Sequence, residues 1–340
     1  MPSATAPSMA ETRALLQLLA ARPAAPGVLA TLVGVEGSSY RRPGARLLWF
    51  PDGAWAGSVS GGCLESDLFE RARAVLAGGR PEAAVYDTTA ENDLVWGTGT
   101  GCHGRVRVLL EPLPAARPAW LEALRANQAA QRDTALAVVH GGSALPLGTR
   151  LAAELPAGPD GALVFRDEVP APASLVVFGA GDDAQPLVRF AAELGWRVTV
   201  VDARPAYATA ERFPAAAAVV VAAPAEAVAR AAPGPRAFAV VMTHRYRDDA
   251  ALLHALVARP LAYLGLLGPR ARTERLLEEV RRAGRAVPPE ARARLFAPVG
   301  LDLGGETPAA IALAVLAEMQ AHRAGRTPGF LRDRAGPIHG

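Results

Sequence analysis

The sequence predicts an α/β protein in two parts, an N-terminal α/β domain and a C-terminal doubly wound parallel sheet. Three observations carry this reading. From Leu175 onward short apolar strands alternate with helical stretches, the pattern of a parallel sheet covered by helices on both faces. A glycine-rich turn, Gly179-Ala-Gly-Asp-Asp-Ala184, joins the first of those strands to a helix. Proline-rich Pro170 to Pro172 separates this half from a front half whose strands are punctuated by turns. The expected partition is 1–113 for the first domain, 114–172 for a connecting region and 173–340 for the second domain.

In the front half, Glu11 to Ala21 reads as a helix with a stripe of Leu15, Leu16, Leu18 and Leu19. Val28 to Val35 reads as a strand. The turn Pro51-Asp52-Gly53 joins two short strands, Arg46 to Phe50 and Ala54 to Val59. A helix over Leu64 to Leu76 ends at Gly78-Gly79, and Val106 to Leu110 is another strand. From Pro114 to Pro172, Gly and Pro interrupt short pieces of mixed character, hence the reading as a connector or a small extension of the first domain. In the back half the expected strands are Leu175 to Phe178, Arg197 to Val201, Ala237 to Met242 and Tyr263 to Leu267, with a helix over Gln185 to Leu194 after the glycine turn.

Composition narrows the chemistry. The 340 residues are 51% apolar, enough for a sizeable core in each half. No lysine is present, and all 36 basic residues are arginine. That excludes a lysine Schiff base and a phosphate loop ending in Gly-Lys. Arginines alternate with acids, and no basic stripe carries interleaved aromatics, so a nucleic-acid partner is not expected. The longest apolar run, Ala215 to Ala223, is too short to span a membrane. Met1 to Ala10 lacks the charged and apolar segments of a signal peptide, so the expected location is the cytoplasm. Two cysteines, Cys63 and Cys102, do not make a disulfide framework.

The glycine turn has the spacing of a dinucleotide fingerprint. Gly179 permits the tight turn, Gly181 lets backbone approach a pyrophosphate, and small Ala184 lets helix and strand pack closely. Asp202 closes the next strand, 23 positions after Gly179, where an acid accepts a ribose hydroxyl. Asp202 favours NAD, and neighbouring Arg204 leaves NADP open. The opposing reading is a doubly wound fold without a ligand, because Asp182 and Asp183 would repel a phosphate. Further strand ends point the same way: His244 follows the strand ending at Met242, and Arg270 and Arg272 stand at a helix start that suits an anion. Thr307 and Pro308 form an N-cap and first-turn pair for the last helix.

Both cysteines sit in glycine-rich loops. Gly57-Ser-Val-Ser-Gly-Gly-Cys-Leu-Glu65 puts Cys63 at or just before a helix start, where dipole and free N–H groups favour a thiolate. Bare Gly61-Gly62 backbone can form an anion nest. The second loop, Trp96 to Gly104, carries Gly101, Cys102 and His103 and runs into a strand. Neighbouring side chains point apart, so Cys102 and His103 are not expected to form a dyad. Two cysteines and His103 lack zinc-site spacing. The bland alternative is that each cysteine is a small buried hydrophobe.

Taken together, Gly37-Ser-Ser-Tyr-Arg-Arg-Pro-Gly44, the two glycine-cysteine loops, the Gly179 turn and Gly300-Leu-Asp-Leu-Gly304 resemble the xanthine dehydrogenase accessory factor family (XdhC/CoxI). The resemblance implies an XdhC/CoxI-type first domain and a Rossmann-like second one. It implies a chaperone that binds the molybdenum cofactor, aids its sulfuration with a cysteine desulfurase, and inserts it into a hydroxylase-class apo-molybdoenzyme. It places Cys63 and Cys102 as the cofactor-contacting thiols, and it implies a homodimer. Asp182 replaces a histidine frequent in the family and His103 a common glycine, which leaves the client open between xanthine dehydrogenase and carbon-monoxide-dehydrogenase types. The competing function is an NAD(P)-dependent oxidoreductase or sulfur-transfer enzyme with Cys102 as the reactive thiol. A third, a purely structural partner of a dehydrogenase, accounts least well for the glycine-cysteine loops.

Overall fold

The computed structural model describes residues 9–87, 104–157 and 161–335. The chain forms two compact units, Met1–Pro172 and Ala173–Gly340.

In the first unit, helix α1 (Met9–Ala20) precedes strands β1 (Gly27–Gly37), β2 (Arg46–Trp49) and β3 (Trp55–Gly57). Helix α2 (Glu65–Gly78) and strands β4 (Glu82–Asp87) and β5 (Gly104–Leu113) follow. These strands form an antiparallel sheet in the order β3-β2-β1-β5-β4. Its central strand is apolar without alternation because both faces are covered. Val28, Ala30 and Leu32 pack with Leu68, Ala72 and Val75 of α2, whereas Leu29 on the opposite face packs with α1. The spacing of those α2 residues is the helical stripe of a one-sided helix. Gly79 ends α2 in the left-handed conformation, at φ 62°, and returns its N–H to Val75 O.

Residues 114–172, read above as a connector or an extension of the first domain, include helix α3 (Ala119–Ala129) and strands β6 (Thr134–Gly142), β7 (Gly148–Leu151) and β8 (Ala162–Val169). The strands form a second antiparallel sheet, β7-β6-β8. The segment belongs to the first unit. Trp120, Leu121 and Leu124 of α3 share a core with Leu48, Phe50 and Leu113 of the first sheet. Gly141, Gly142, Gly148 and Gly161, among the residues that suggested a linker, stand at or beside the strand ends of this sheet. A buried ion pair, Arg46 to Asp167 at 2.6 Å, joins the two sheets from β2 to β8. Buried Glu111 on β5 accepts from the N–H (2.9 Å) and hydroxyl of Thr149 on β7.

The second unit runs β9 (Ser174–Phe178), α4 (Ala184–Glu193), β10 (Arg197–Asp202), β11 (Ala218–Val221), α5 (Pro224–Ala231), β12 (Phe238–Val241), α6 (Tyr246–Leu256) and β13 (Tyr263–Leu266). It ends with α7 (Arg270–Arg282), α8 (Pro289–Ala293), β14 (Leu295–Phe296) and α9 (Pro308–Arg323). All six strands are parallel, in the order β11-β10-β9-β12-β13-β14. Helices α5, α6 and α7 bury Val228, Leu253 and Leu277 on one face. Helices α4 and α9 pack together beside β9 and β10. The chain order reverses between β9 and β12, so this is the switch point at which doubly wound sheets open a crevice. Thr307 caps α9 by accepting from Ala310 N–H at 3.2 Å. Strands β11 and β14 were not expected. The first hides in an alanine-rich run, and the second has two residues, too few for a period.

Candidate functional site

Two of the stretches singled out in the first half, and Gly104 at the end of a third, meet at one end of its larger sheet. Gly37 pairs with Gly104 where β1 ends and β5 begins. A β-carbon on Gly104 would stand 2.2 Å from Ser38 O, so only glycine permits that approach. The Tyr40 ring, 68% exposed, lies over Gly61, whose β-carbon would meet it at 3.5 Å. Asp87, the last residue of β4, pairs with Arg105 beside this end. Gly101, Cys102 and His103 lie outside the described residues.

The Gly57–Glu65 loop is held by an internal polar web. Glu65, the first residue of α2, is buried at 8% exposure. It accepts from Ser58 Oγ at 3.0 Å, from Ser60 N–H at 3.2 Å and from Ser60 Oγ. Ser60 Oγ in turn accepts from the N–H groups of Gly62 (3.1 Å) and Leu64 (3.2 Å). Burial pushes the Glu65 carboxyl up, but the bonds from Ser60 and Ser58 outweigh it and hold the group below its ordinary value. The expected nest is therefore half used, since the Gly62 amide serves Ser60. Among the described residues the amides of Gly61 and Cys63 have no acceptor. Gly62, at φ 106°, has nothing within 4 Å of its β-carbon position. Cys63 is half-buried, not paired in a disulfide, and packs on the core beneath α2. The loop thus offers a thiol and bare, open backbone side by side. Sequence reasoning singled out the glycines and the cysteine but missed Glu65 and Ser60, whose roles depend on a fold of the loop that no residue spacing announces.

The crevice of the second unit differs. A β-carbon on Gly179, at φ 121°, would lie 2.4 Å from Met242 O, because the end of β12 presses onto the turn. One on Gly181 would lie 2.7 Å from Asp183 Oδ1. Asp183 also bonds His244 Nε2 at 2.6 Å, and Asp182 pairs with Arg212 at 2.8 Å. The two aspartates expected to repel a phosphate are held by this chain's own side chains. His244 does reach the switch point, at φ 58°, an uncommon backbone for a non-glycine residue. Asp202, expected to accept a ribose, is already filled. It accepts from Ala180 N–H (2.8 Å) and Arg204 N–H (2.8 Å), and from Arg204 Nε and Nη2. Its side chain is 5% exposed. Burial raises its carboxyl, and these bonds lower it further than burial raises it. Arg272 is committed to buried Asp249 and stacks on Tyr246. Arg270 stands exposed at the start of α7 without a partner among the described residues.

Residues 20–87 match the XdhC and CoxI family, and residues 175–319 match the XdhC Rossmann domain. Over 311 residues the chain is 34% identical to a Bacillus subtilis (strain 168) protein described as a probable xanthine dehydrogenase subunit, covering 86% of this chain and 92% of that one. The chain belongs to the XdhC and CoxI family. A second relative of this XdhC-type chain is the molybdenum cofactor insertion chaperone PaoD of Escherichia coli (strain K12). It is 26% identical over 299 residues, covering 87% of this chain and 83% of PaoD. A crystal structure from Bacillus halodurans, described as a xanthine dehydrogenase, superposes with a TM-score of 0.77 at 32% identity, covering 94% of this chain and 97% of that one. The Rossmann-like second unit expected from the glycine turn is thus a property of the XdhC family. Among the described residues no three His, Cys, Asp or Glu side chains are placed to hold a metal ion, and no helix is long and apolar enough to cross a membrane.

Proposed function

We propose that this XdhC-type chain is an accessory protein that holds the molybdenum cofactor at the Gly57–Glu65 loop. From there it presents the cofactor for sulfuration by a cysteine desulfurase and inserts it into an apo-molybdoenzyme of the xanthine dehydrogenase class. The observation that carries the reading is the pairing of the half-buried Cys63 thiol with the open Gly61-Gly62 backbone. The pterin of that cofactor bears a phosphate, which suits bare amides before a helix, and its metal accepts sulfur ligands. Cys102 is assigned the second thiol on the family resemblance. Likeness over most of both chains to PaoD, a molybdenum cofactor insertion chaperone, supports the same role. The NAD(P)-dependent alternative is less well supported, because a ribose reaches Asp202 only by displacing Arg204.

Anaerobic binding of molybdenum cofactor to the purified chain tests this, with NADH titrated in parallel by calorimetry. The reading requires stoichiometric cofactor uptake that drops in Cys63→Ala and in Cys102→Ala, and no saturable NADH heat. Saturable NADH binding without cofactor uptake would replace it with the nucleotide-dependent enzyme.

A further inference from the structure

The geometry points to Glu65 as the positioning residue of the Cys63 loop, acting as a buried acceptor whose bonds glutamine cannot all reproduce. Its relevance to function rests on the reading of Cys63 given above.

Donor and acceptor counting fixes the direction of the Ser60–Glu65 bond. The Ser60 hydroxyl has two lone pairs and one proton. Both lone pairs are taken, by the Gly62 and Leu64 amides. Its proton therefore goes to Glu65 Oε2. Glu65 Oε1 accepts from the Ser60 N–H and lies 3.0 Å from Ser58 Oγ, whose single proton has a nearer acceptor in Ser60 O at 2.5 Å. Both carboxylate oxygens thus face donors. Glutamine in this place loses a bond in either orientation. With its amide nitrogen toward Ser60 Oγ, an N–H meets a hydroxyl that has no lone pair left. With the amide turned over, the nitrogen reaches Ser58 Oγ, but the Ser60 backbone N–H then faces a donor and loses its acceptor. A buried donor facing a donor loses the bond and its solvation together.

The web spans Ser58 to Glu65 and so encloses Cys63, which among the described residues contributes no side-chain bond of its own. Cys63 keeps its half-buried seat against the core under α2 because the residues on either side, Gly62 and Leu64, are tied to Ser60 and through it to Glu65. Cutting the web frees the thiol without removing any core side chain.

The test uses the full-length chain with Cys102→Ala, which leaves Cys63 as its single thiol. Iodoacetamide alkylation of Cys63 is followed by mass spectrometry at neutral pH in that parent, in Glu65→Gln and in Ser60→Ala. Hydrogen exchange is read over the whole chain. The expected result is alkylation faster by about tenfold to a hundredfold in Glu65→Gln, the factor for losing a charge-assisted hydrogen bond. Exchange protection should fall over 58–66 alone, with β9 to β13 peptides unchanged. If Glu65→Gln does not fold, Ser60→Ala decides by the same criterion. Alkylation within about twofold of the parent, in whichever of these variants fold, overturns the inference. Cofactor binding is measured separately on the unsubstituted chain, which keeps both cysteines. An unsubstituted chain that binds no cofactor, alongside the alkylation change, keeps Glu65 in this role and removes only the cofactor reading.

Discussion

The two glycine-rich turns use the same residue for opposite ends. In the Gly57–Glu65 loop, Gly62 faces open space and Gly61 makes ordinary contact with the Tyr40 ring. In the Gly179 turn, the volume that glycine vacates is filled from within, by Met242 O and by the Asp183 carboxylate. Each turn is tied to one buried carboxylate, Glu65 in the first and Asp202 in the second. Yet Glu65 leaves neighbouring amides free, whereas Asp202 is crowded by Arg204 and Ala180. A glycine fingerprint therefore marks close approach of something to backbone. Whether that something is a ligand or the protein itself depends on what the tertiary structure brings there.

The comparison is broken or sharpened by three measurements. The largest effect is expected for Gly179→Ala. The substitution combines a disfavoured positive φ with overlap onto Met242 O. It should cost about 3–5 kcal/mol, read as a lower urea midpoint for the second unit. A near-neutral result would mean the turn has the free space of a vacant phosphate site. Next is acid. Both carboxylates are held below their ordinary values, so each stabilises its turn above that value and loses the contribution as pH falls through the lowered one. The ordinary value is 4.5 for Glu65 and 3.8 for Asp202. On acidification, exchange protection should start to fade over 58–64 before it fades over 179–183, and Glu65→Gln should flatten the earlier limb. Simultaneous onset would show that a single acid transition governs both. The smallest stability effect is expected for Gly61→Ala, within about 0.5 kcal/mol, because its β-carbon meets only the Tyr40 ring. The same change should weaken molybdenum-cofactor binding by about tenfold, or roughly 1.4 kcal/mol. Unchanged binding would move the cofactor away from this backbone.

Legibility from sequence was uneven for reasons that particular residues show. The doubly wound sheet could be read because parallel strands buried on both faces are continuous apolar runs, as in Leu175 to Phe178 and Tyr263 to Leu266. Residues 114–172 could be read either as a connector or as an extension of the first domain, because a small antiparallel sheet with Gly141, Gly142, Gly148 and Gly161 beside its turns has the same composition as a linker. At the sites, Gly61, Gly62 and Cys63 stood out by type, but Ser60 and Glu65 are ordinary residues until the loop folds. Asp183, counted as a repellent charge, proved to be a buried partner of His244.

By itself the sequence determined four of the six strands of the second unit and the helix after its glycine turn, the glycine-to-acid order from Gly179 to Asp202, and the presence of a cysteine at a helix start. Periodicity and local backbone freedom are properties of neighbouring residues, so they survive in one dimension. The tertiary structure decided which glycines are open and which are filled, and which carboxylates are free and which are spent. Those outcomes depend on contacts such as Met242 with Gly179 and Arg46 with Asp167, between residues 63 and 121 positions apart, and no local pattern encodes them.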